Sequence, residues 1–288
     1  MRFCRVCLTG AVLAVAACGP RPPAAAPPAG APAPLPPVLQ PTGPGIHFVP
    51  TVQRYVIHSL RRVEQELAGQ QPTEMGYRVF VSARIAGPAD AAGYAVTHAV
   101  DSIIPDSGAF VPPNVNFAVA RGLRFSGRLA PWGEVRDVTA SDSMQARMVA
   151  QLLGNLRDFY PRLPSGGLRP GAVWTDTVMT SERGGGSEVV VSAIRLSTAM
   201  GWEQCPAGRC VRINVQGPYT VLGTGEQGGQ PFELVGSGTR SALEFVSADG
   251  RYLGGELRDS ASLSVNLPAQ GMTIPIRQTL HSTVTVLP

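Results

Sequence analysis

Lysine is missing from this sequence altogether, and charged residues of any kind are few: together they make up 15% of the 288 residues. All 24 basic side chains other than histidine are therefore arginine. We interpret this as codon bias in a GC-rich genome, since no physical demand excludes lysine from every surface position. The formal net charge of +4 falls to +2 if Arg2 and Arg5 leave with a cleaved leader. So small a positive balance argues against nucleic-acid binding.

The sequence also lacks a hydrophobic run long enough to cross a membrane, which takes roughly 20 apolar residues. The stretch from Val6 to Ala17 has only about a dozen and follows two arginines, which is typical of a secretory signal peptide. It ends in Val15-Ala16-Ala17-Cys18, which resembles the lipobox of bacterial lipoproteins. The resemblance implies that residues 1–17 are a lipoprotein signal peptide and that Cys18 becomes the lipidated first residue. A secreted protein cut nearby without lipid is the alternative.

Residues 18–45 are rich in proline and alanine and carry almost no charge beyond Arg21. Such a composition cannot build a core and predicts a disordered, extended spacer. Because two or more acyl chains anchor a protein stably, we expect an exported protein tethered to the cell envelope. Gly19 follows the cysteine; in families sorted by the Lol machinery this favours the outer membrane, facing the periplasm. The inner membrane and the cell surface stay open as alternatives.

Two of the five cysteines, Cys205 and Cys210, fall in the predicted globular part, residues 46–288. They flank Pro-Ala-Gly-Arg, which is typical of a turn, between two strand-like segments. Cysteines that face each other across a hairpin in an oxidising compartment are expected to form a disulfide. A metal site is the rival interpretation, but two thiols with no histidine nearby leave zinc short of four ligands.

Apolar and polar residues alternate through most of residues 46–288. In "TIPIRQTLHSTVTV" the isoleucines, leucine and valines fall on one face of a strand and the polar residues on the other. "SLSVNL", "LRFSGRL" and "YRVFVSARI" repeat the pattern, and turn signals such as "PWGE", "RGGGSE" and Asp249-Gly250 separate the runs. We therefore predict one mainly β domain with about 10 to 13 strands, joined mostly by hairpins in a large antiparallel sheet.

One amphipathic α-helix is predicted before Pro161. Asp142 and Gln145 are placed like a capping box, and Pro161 closes the segment. Its apolar stripe consists of Met144, Met148, Leu152, Leu156 and Phe159. We expect this stripe to pack on the sheet. Met144, Met148 and Leu152 are also the candidates for contact with an apolar ligand.

The order of these elements resembles bacterial lipoproteins with a LolA-like or LppX-like domain. The phrase Leu163-Pro164, then Arg169 to Gly171 and Trp174, is similar to uncharacterised lipoproteins of that type. The resemblance spans the globular part and implies a strongly curved antiparallel sheet, a half-barrel, wrapped around one helix. It further implies that the concave face holds lipid or acyl chains.

Motifs that would announce an enzyme are missing. "GTGEQG" at Gly223 to Gly228 matches a dinucleotide fingerprint in letters, but a strand-like run follows it where a helix is required, so we expect a hairpin loop. The four histidines show no metal-ligand spacing, and no GxSxG elbow occurs. We expect no catalytic residues, metal or cofactor.

Two functions remain as hypotheses. The first is a membrane-anchored envelope lipoprotein that binds a hydrophobic or amphipathic, lipid-like ligand in a concave sheet. The second is a structural or protein-interaction lipoprotein without a ligand cavity, which predicts an exposed apolar or arginine-edged patch for an envelope partner. An enzyme is the least supported reading, because it would need a cluster of polar residues that no motif indicates.

Overall fold

The computed structural model describes residues 44–66, 71–111, 116–146, 149, 158–184, 187–227 and 229–288. The predicted signal peptide, Cys18 and nearly all of the tether lie outside these residues. The strands are β1 Thr51–Gln65, β2 Thr73–Asp90, β3 Gly93–Pro105, β4 Arg124–Leu129, β5 Val135–Ala140, β6 Val173–Gly184, β7 Ser187–Cys205, β8 Gly208–Gln227, β9 Gln230–Ser247, β10 Tyr252–Leu267 and β11 Met272–Leu287.

All eleven strands belong to one antiparallel sheet in the order β5-β4-β3-β2-β1-β11-β10-β9-β8-β7-β6. The prediction of a mainly β protein with a large antiparallel sheet is confirmed. The first five strands and the last six each form a meander, and the last strand returns to pair with the first, with Tyr55 opposite Val286. This pairing joins the two halves and leaves β5 and β6 as the edges of an open sheet.

Local sequence explains the strands and their turns. In β11 the residues Ile274, Ile276 and Leu280 occupy one face, as predicted, because side chains alternate across a strand. We call this the inner face of the sheet. The turns "PWGE" and Asp249-Gly250 each join two neighbouring strands, and Gly250 adopts φ 85°, which favours glycine. At "RGGGSE" the described residues Gly184 and Ser187 pair as the ends of β6 and β7.

The sheet curves around its inner face. His98 on β3 and Tyr252 on β10 are four strands apart, which is roughly 19 Å in a flat sheet. Yet Phe159 contacts both, with ring centroids 5.0 Å from His98 and 5.7 Å from Tyr252. One core cluster accordingly includes Leu129 of β4 and Ile213 of β8, both fully buried. The segment that carries Phe159 lies in the concavity and holds the curved sheet together.

Helical structure is scarce among the described residues. Residues 143–146 are helical and begin at Asp142, whose carboxylate accepts hydrogen bonds from the backbone N–H groups of Met144 and Gln145. Val149 is fully buried against β2 and β3, but most of the predicted helix lies outside the described residues, so a single packed helix is not confirmed. Phe117–Ala120 and Pro268–Gln270 form 3-10 turns. In the described part of the chain no helix has the length and apolarity to span a membrane.

Candidate functional site

A row of charged side chains crosses the inner face of the sheet. Strand alternation would place apolar residues there, but β7, β9 and β1 each put an arginine at an inward position. Register makes these residues lateral neighbours across seven strands, from β6 to β1: Asp176, Arg195, Gly217, Arg240, Asp259, Leu280 and Arg61. We call these seven residues the charged row. It divides the inner face into an aromatic side and an aliphatic side.

The aromatic side is a closely packed cluster of rings. Besides His98, Phe159 and Tyr252 it contains Tyr55, 5.1 Å from Phe159, and Tyr160, 5.0 Å from Phe159. His98 is 2% exposed and lies 3.2 Å from the Tyr160 hydroxyl. Burial lowers the pKa of His98 to about 4 and raises that of Tyr55. The imidazole ring of His98 therefore stays neutral at physiological pH. The aromatic side of the inner face is filled with protein side chains.

The aliphatic side is not filled by side chains and contains a cavity of about 440 Å³. We call it the apolar cavity. Its volume lies within the range of small-molecule pockets, about 300 to 1,000 Å³. The described lining residues are Arg61, Asp158, Val178, Thr180, Val189, Val191, Ala193, Ile194, Arg195, Val215, Gln216, Gly217, Tyr219, Arg240 and Gln278. Valines and Ala193 form the apolar part of its walls, and Thr180, Gln216 and Gln278 line it as well. Three arginines stand at the end that meets the charged row.

Glycine on β9 leaves room for the side chain that forms the floor of this cavity. A Cβ atom added at Gly238 would collide with the ring of Tyr219, so the absence of a side chain there lets Tyr219 lie across the strand. The Tyr219 hydroxyl donates a hydrogen bond of 2.6 Å to Asp259. Burial, followed by this hydrogen bond, raises the pKa of Tyr219. The ring of Tyr219 therefore forms an apolar floor for the cavity, and its hydroxyl group is held by the hydrogen bond to Asp259.

Two of the three arginines have carboxylate partners. Arg195 lies 3.0 Å from Asp158, and Arg240 lies 2.9 Å from Asp259. Burial of Asp158 raises its pKa, but Arg195 and Arg162 outweigh that effect and hold the pKa below its usual range. These pairs keep both cations in fixed positions at the cavity end.

Glu244 lies two inward positions, four residues, beyond Arg240 on β9, between the charged row and the aromatic cluster. It lines a second cavity of about 170 Å³ together with Asp158 and Arg195. Burial raises the pKa of Glu244 to about 7; the charge of Asp158 raises it too, whereas Arg195 and Arg240 lower it. Glu244 is therefore a carboxyl group that changes charge near neutral pH.

Comparison with known proteins does not assign this chain to a family. No protein-family model matches it, and neither does any curated protein. Among solved structures, a match is the crystal structure of OccK2 (OpdF) from Pseudomonas aeruginosa, with 7% identity over 82% of this chain and 98% of that one. The TM-score is 0.25, which is too low to carry an argument.

The ligand-contact residues predicted from the sequence are not at this site as far as the structure describes them. Met144 is 67% exposed and lines neither of the two inner cavities. Met148 and Leu152 lie outside the described residues. Among the described side chains of the same predicted helix, Val149, Phe159 and Tyr160 are buried, and of these three Phe159 belongs to the predicted stripe.

Cys205 and Cys210 are joined by a disulfide, with their Cα atoms 5.9 Å apart. The bond closes the β7–β8 hairpin, far along the strands from the charged row. Residues 223–227 of "GTGEQG" are strand rather than loop, since they belong to β8 and Gly223 pairs with Leu234 on β9. Gly228 lies outside the described residues. Within the described ranges, no three His, Cys, Asp or Glu side chains form a group that could hold a metal ion.

The charged row had a signal in the sequence that motif analysis missed. In "VVVSAIRLSTA" Arg195 is in phase with Val191 and Ala193, which are inward residues. Arg61 is likewise in phase with Ile57. An arginine in phase with the apolar face of an amphipathic strand predicts a buried charge, and buried charges mark candidate binding sites.

Proposed function

We propose that this protein is a membrane-anchored lipoprotein of the cell envelope whose sheet, as a half-barrel, binds a hydrophobic or amphipathic ligand on its inner face. The observation that carries the proposal is the apolar cavity of about 440 Å³, lined by valines and bounded at one end by arginines. When an apolar ligand covers the apolar surface of such a cavity, water is released from both surfaces and the free energy of binding is favourable. The lipidated Cys18 and the proline-rich tether would hold this cavity near a membrane, and Gly19 favours the outer one. The predicted helix would pack on the sheet beside the cavity.

Three features of the walls support an apolar ligand rather than a polar substrate. Val189, Val191 and Ala193 are only partly buried, although they face inward. Gly236 and Gly238 have no side chains at their inward positions, so Leu263 and Tyr219 lie over them and form an apolar floor. The cluster of Tyr55, Phe159 and Tyr160 packs the aromatic side closely and does not extend past the charged row. The sequence thus leaves one side of the concavity open while it packs the other.

Filling the cavity with protein tests the proposal. We expect Val191→Trp to place an indole among the valine walls and to abolish binding of an apolar fluorescent probe to the full chain. The control is Leu222→Trp, which adds the same ring on the outer face of the adjacent strand, where Leu222 is 57% exposed. Equal probe binding by the two folded variants would contradict the proposal.

A protein-interaction role is the second candidate, and the outer face of β6 to β8 favours it. Exposed apolar residues occur there on three neighbouring strands: Met179 is 74%, Ile194 54% and Leu222 57% exposed. Apolar groups that share one face are typical of contact surfaces. This role predicts that Leu222→Arg abolishes cross-linking to an envelope protein while the wild-type chain is cross-linked. Unchanged cross-linking by the folded variant would count against it.

A further inference from the structure

We infer that the ligand of the apolar cavity carries an anionic head group, a carboxylate or a phosphate, and that Arg61 binds it. This inference rests on the proposed function and specifies the chemical class of ligand. It follows from how the three arginines at the end of the cavity differ in their partners.

Arg61 differs from Arg195 and Arg240 because it has no carboxylate beside it. Its lateral neighbours on the sheet are Leu280 on β11 and Met75 on β2, neither of which carries a charge. Within the part of the chain that the structure describes, Arg61 forms no ion pair. Its Nε atom is buried without a hydrogen-bond acceptor, as is that of Arg195, but Arg195 has the carboxylate of Asp158 on its terminal nitrogen. Each of the other two arginines has its own aspartate, as given above.

An unpaired guanidinium at the end of an apolar cavity is energetically unfavourable. Arginine keeps its positive charge inside proteins, and a buried donor without an acceptor loses its hydrogen bonds to water without replacement. The adjacent aspartates do not relieve Arg61, since Asp158 pairs with Arg195 and Asp259 with Arg240. An anion from outside the chain would satisfy Arg61.

The position of Arg61 also fixes the orientation of the ligand. Arg61 stands on β1 at one end of the cavity, and the valine walls belong to β6 and β7 at the other. An amphiphile bound with its head at Arg61 would lay its chain across Tyr219 towards Val189 and Val191. Carboxylate and phosphate both suit the two-pronged hydrogen bonding of a guanidinium, so both sources of the anionic head fit the geometry.

The test compares three probes that share one dodecyl chain: dodecanoate, dodecyl phosphate and the uncharged dodecanol. Binding is measured calorimetrically with the full chain carrying Cys18→Ser, so that no attached lipid competes. We expect at least one anionic probe to bind about tenfold more tightly than dodecanol. We expect Arg61→Met to remove that preference while leaving dodecanol binding unchanged. The ratio between the two anionic probes distinguishes carboxylate from phosphate.

Arg62→Met is the matched control, because Arg62 is the next residue but lies on the outer face, paired with Glu64 and Glu74. It should bind all probes as the wild type does. If Arg61→Met does not fold, Arg61→Lys, which keeps the charge, should retain a weaker preference for the anion. Equal binding of all three probes, or equal effects of the two methionine variants, overturns the head-group inference but leaves the proposed function intact. Binding of no probe overturns both.

Discussion

Acid sensitivity is the property that the structure predicts most directly, and it centres on His98. The side chain is 2% exposed within the aromatic cluster, and burial lowers its pKa from 6.5 to about 4. In the unfolded chain the ring regains its ordinary affinity for protons. Between pH 6.5 and pH 4 the unfolded chain therefore binds a proton that the folded protein refuses, and stability falls as the pH falls.

The shift gives the size of this effect. At pH 5 His98 lowers the free energy of unfolding by about 2 kcal/mol relative to neutral pH, and at pH 4 by about 3 kcal/mol. These are large fractions of a typical domain stability of about 5 to 15 kcal/mol. Above pH 7 the effect fades, because the ring becomes neutral in the unfolded chain as well.

Urea unfolding of wild type and His98→Phe at pH 7 and pH 5, followed by tryptophan fluorescence, measures this difference. Phenylalanine keeps an aromatic ring among Phe159 and Tyr160 but cannot take up a proton. The wild type should lose about 2 kcal/mol more between the two pH values than the variant. His281→Phe, which removes a histidine from the outer face beside Glu256, should keep the acid sensitivity. If wild type and His98→Phe lose the same stability, the buried neutral histidine is not the cause.

Two further predictions concern stability. Glu244→Gln should gain stability relative to the wild type as the pH rises from 5 to 8, by at most about 2.5 kcal/mol. The reason is that the pKa of Glu244 in the folded protein is about 7, so over this range the unfolded chain gives up the proton more readily than the folded protein does. A stability difference between the two proteins that does not vary with pH in urea unfolding would refute this. Replacing both Cys205 and Cys210 by alanine should cost about 2 kcal/mol through the small loop that the disulfide closes. A reducing agent should lower the urea midpoint of the wild type and leave that of the double variant unchanged; a reductant effect on the variant would show another cause.

Strands and hairpins could be predicted because they depend on patterns of a few neighbouring residues. The period-two alternation in β11 and the turn residues at Asp249-Gly250 each act over a few positions, so a single sequence reveals them. The pairing of β1 with β11 joins residues more than two hundred positions apart, and no local pattern encodes it. The curvature of the sheet depends on the same long-range contacts, above all those of Phe159.

The site was harder to predict because it is built from exceptions to the pattern. Met144 was chosen for its helical spacing, but its exposure shows that spacing alone does not identify a cavity wall. Arg61, Arg195 and Arg240 come from three strands that are distant in the sequence, and only the register aligns them. Each arginine is nonetheless in phase with the apolar face of its own strand, and that phase is visible in the sequence.

The central claim is that the inner face binds an amphipathic ligand, and native mass spectrometry of the full chain purified from its own cell envelope tests it most directly. Denaturing spectra of the same sample separate any covalent lipid at Cys18 from a bound one, and solvent extraction identifies the bound species. The account predicts one stoichiometric adduct with an apolar chain and an anionic head, which is lost from the Val191→Trp variant and retained by Leu222→Trp. An adduct-free wild-type mass, obtained under conditions that preserve the fold, would contradict it.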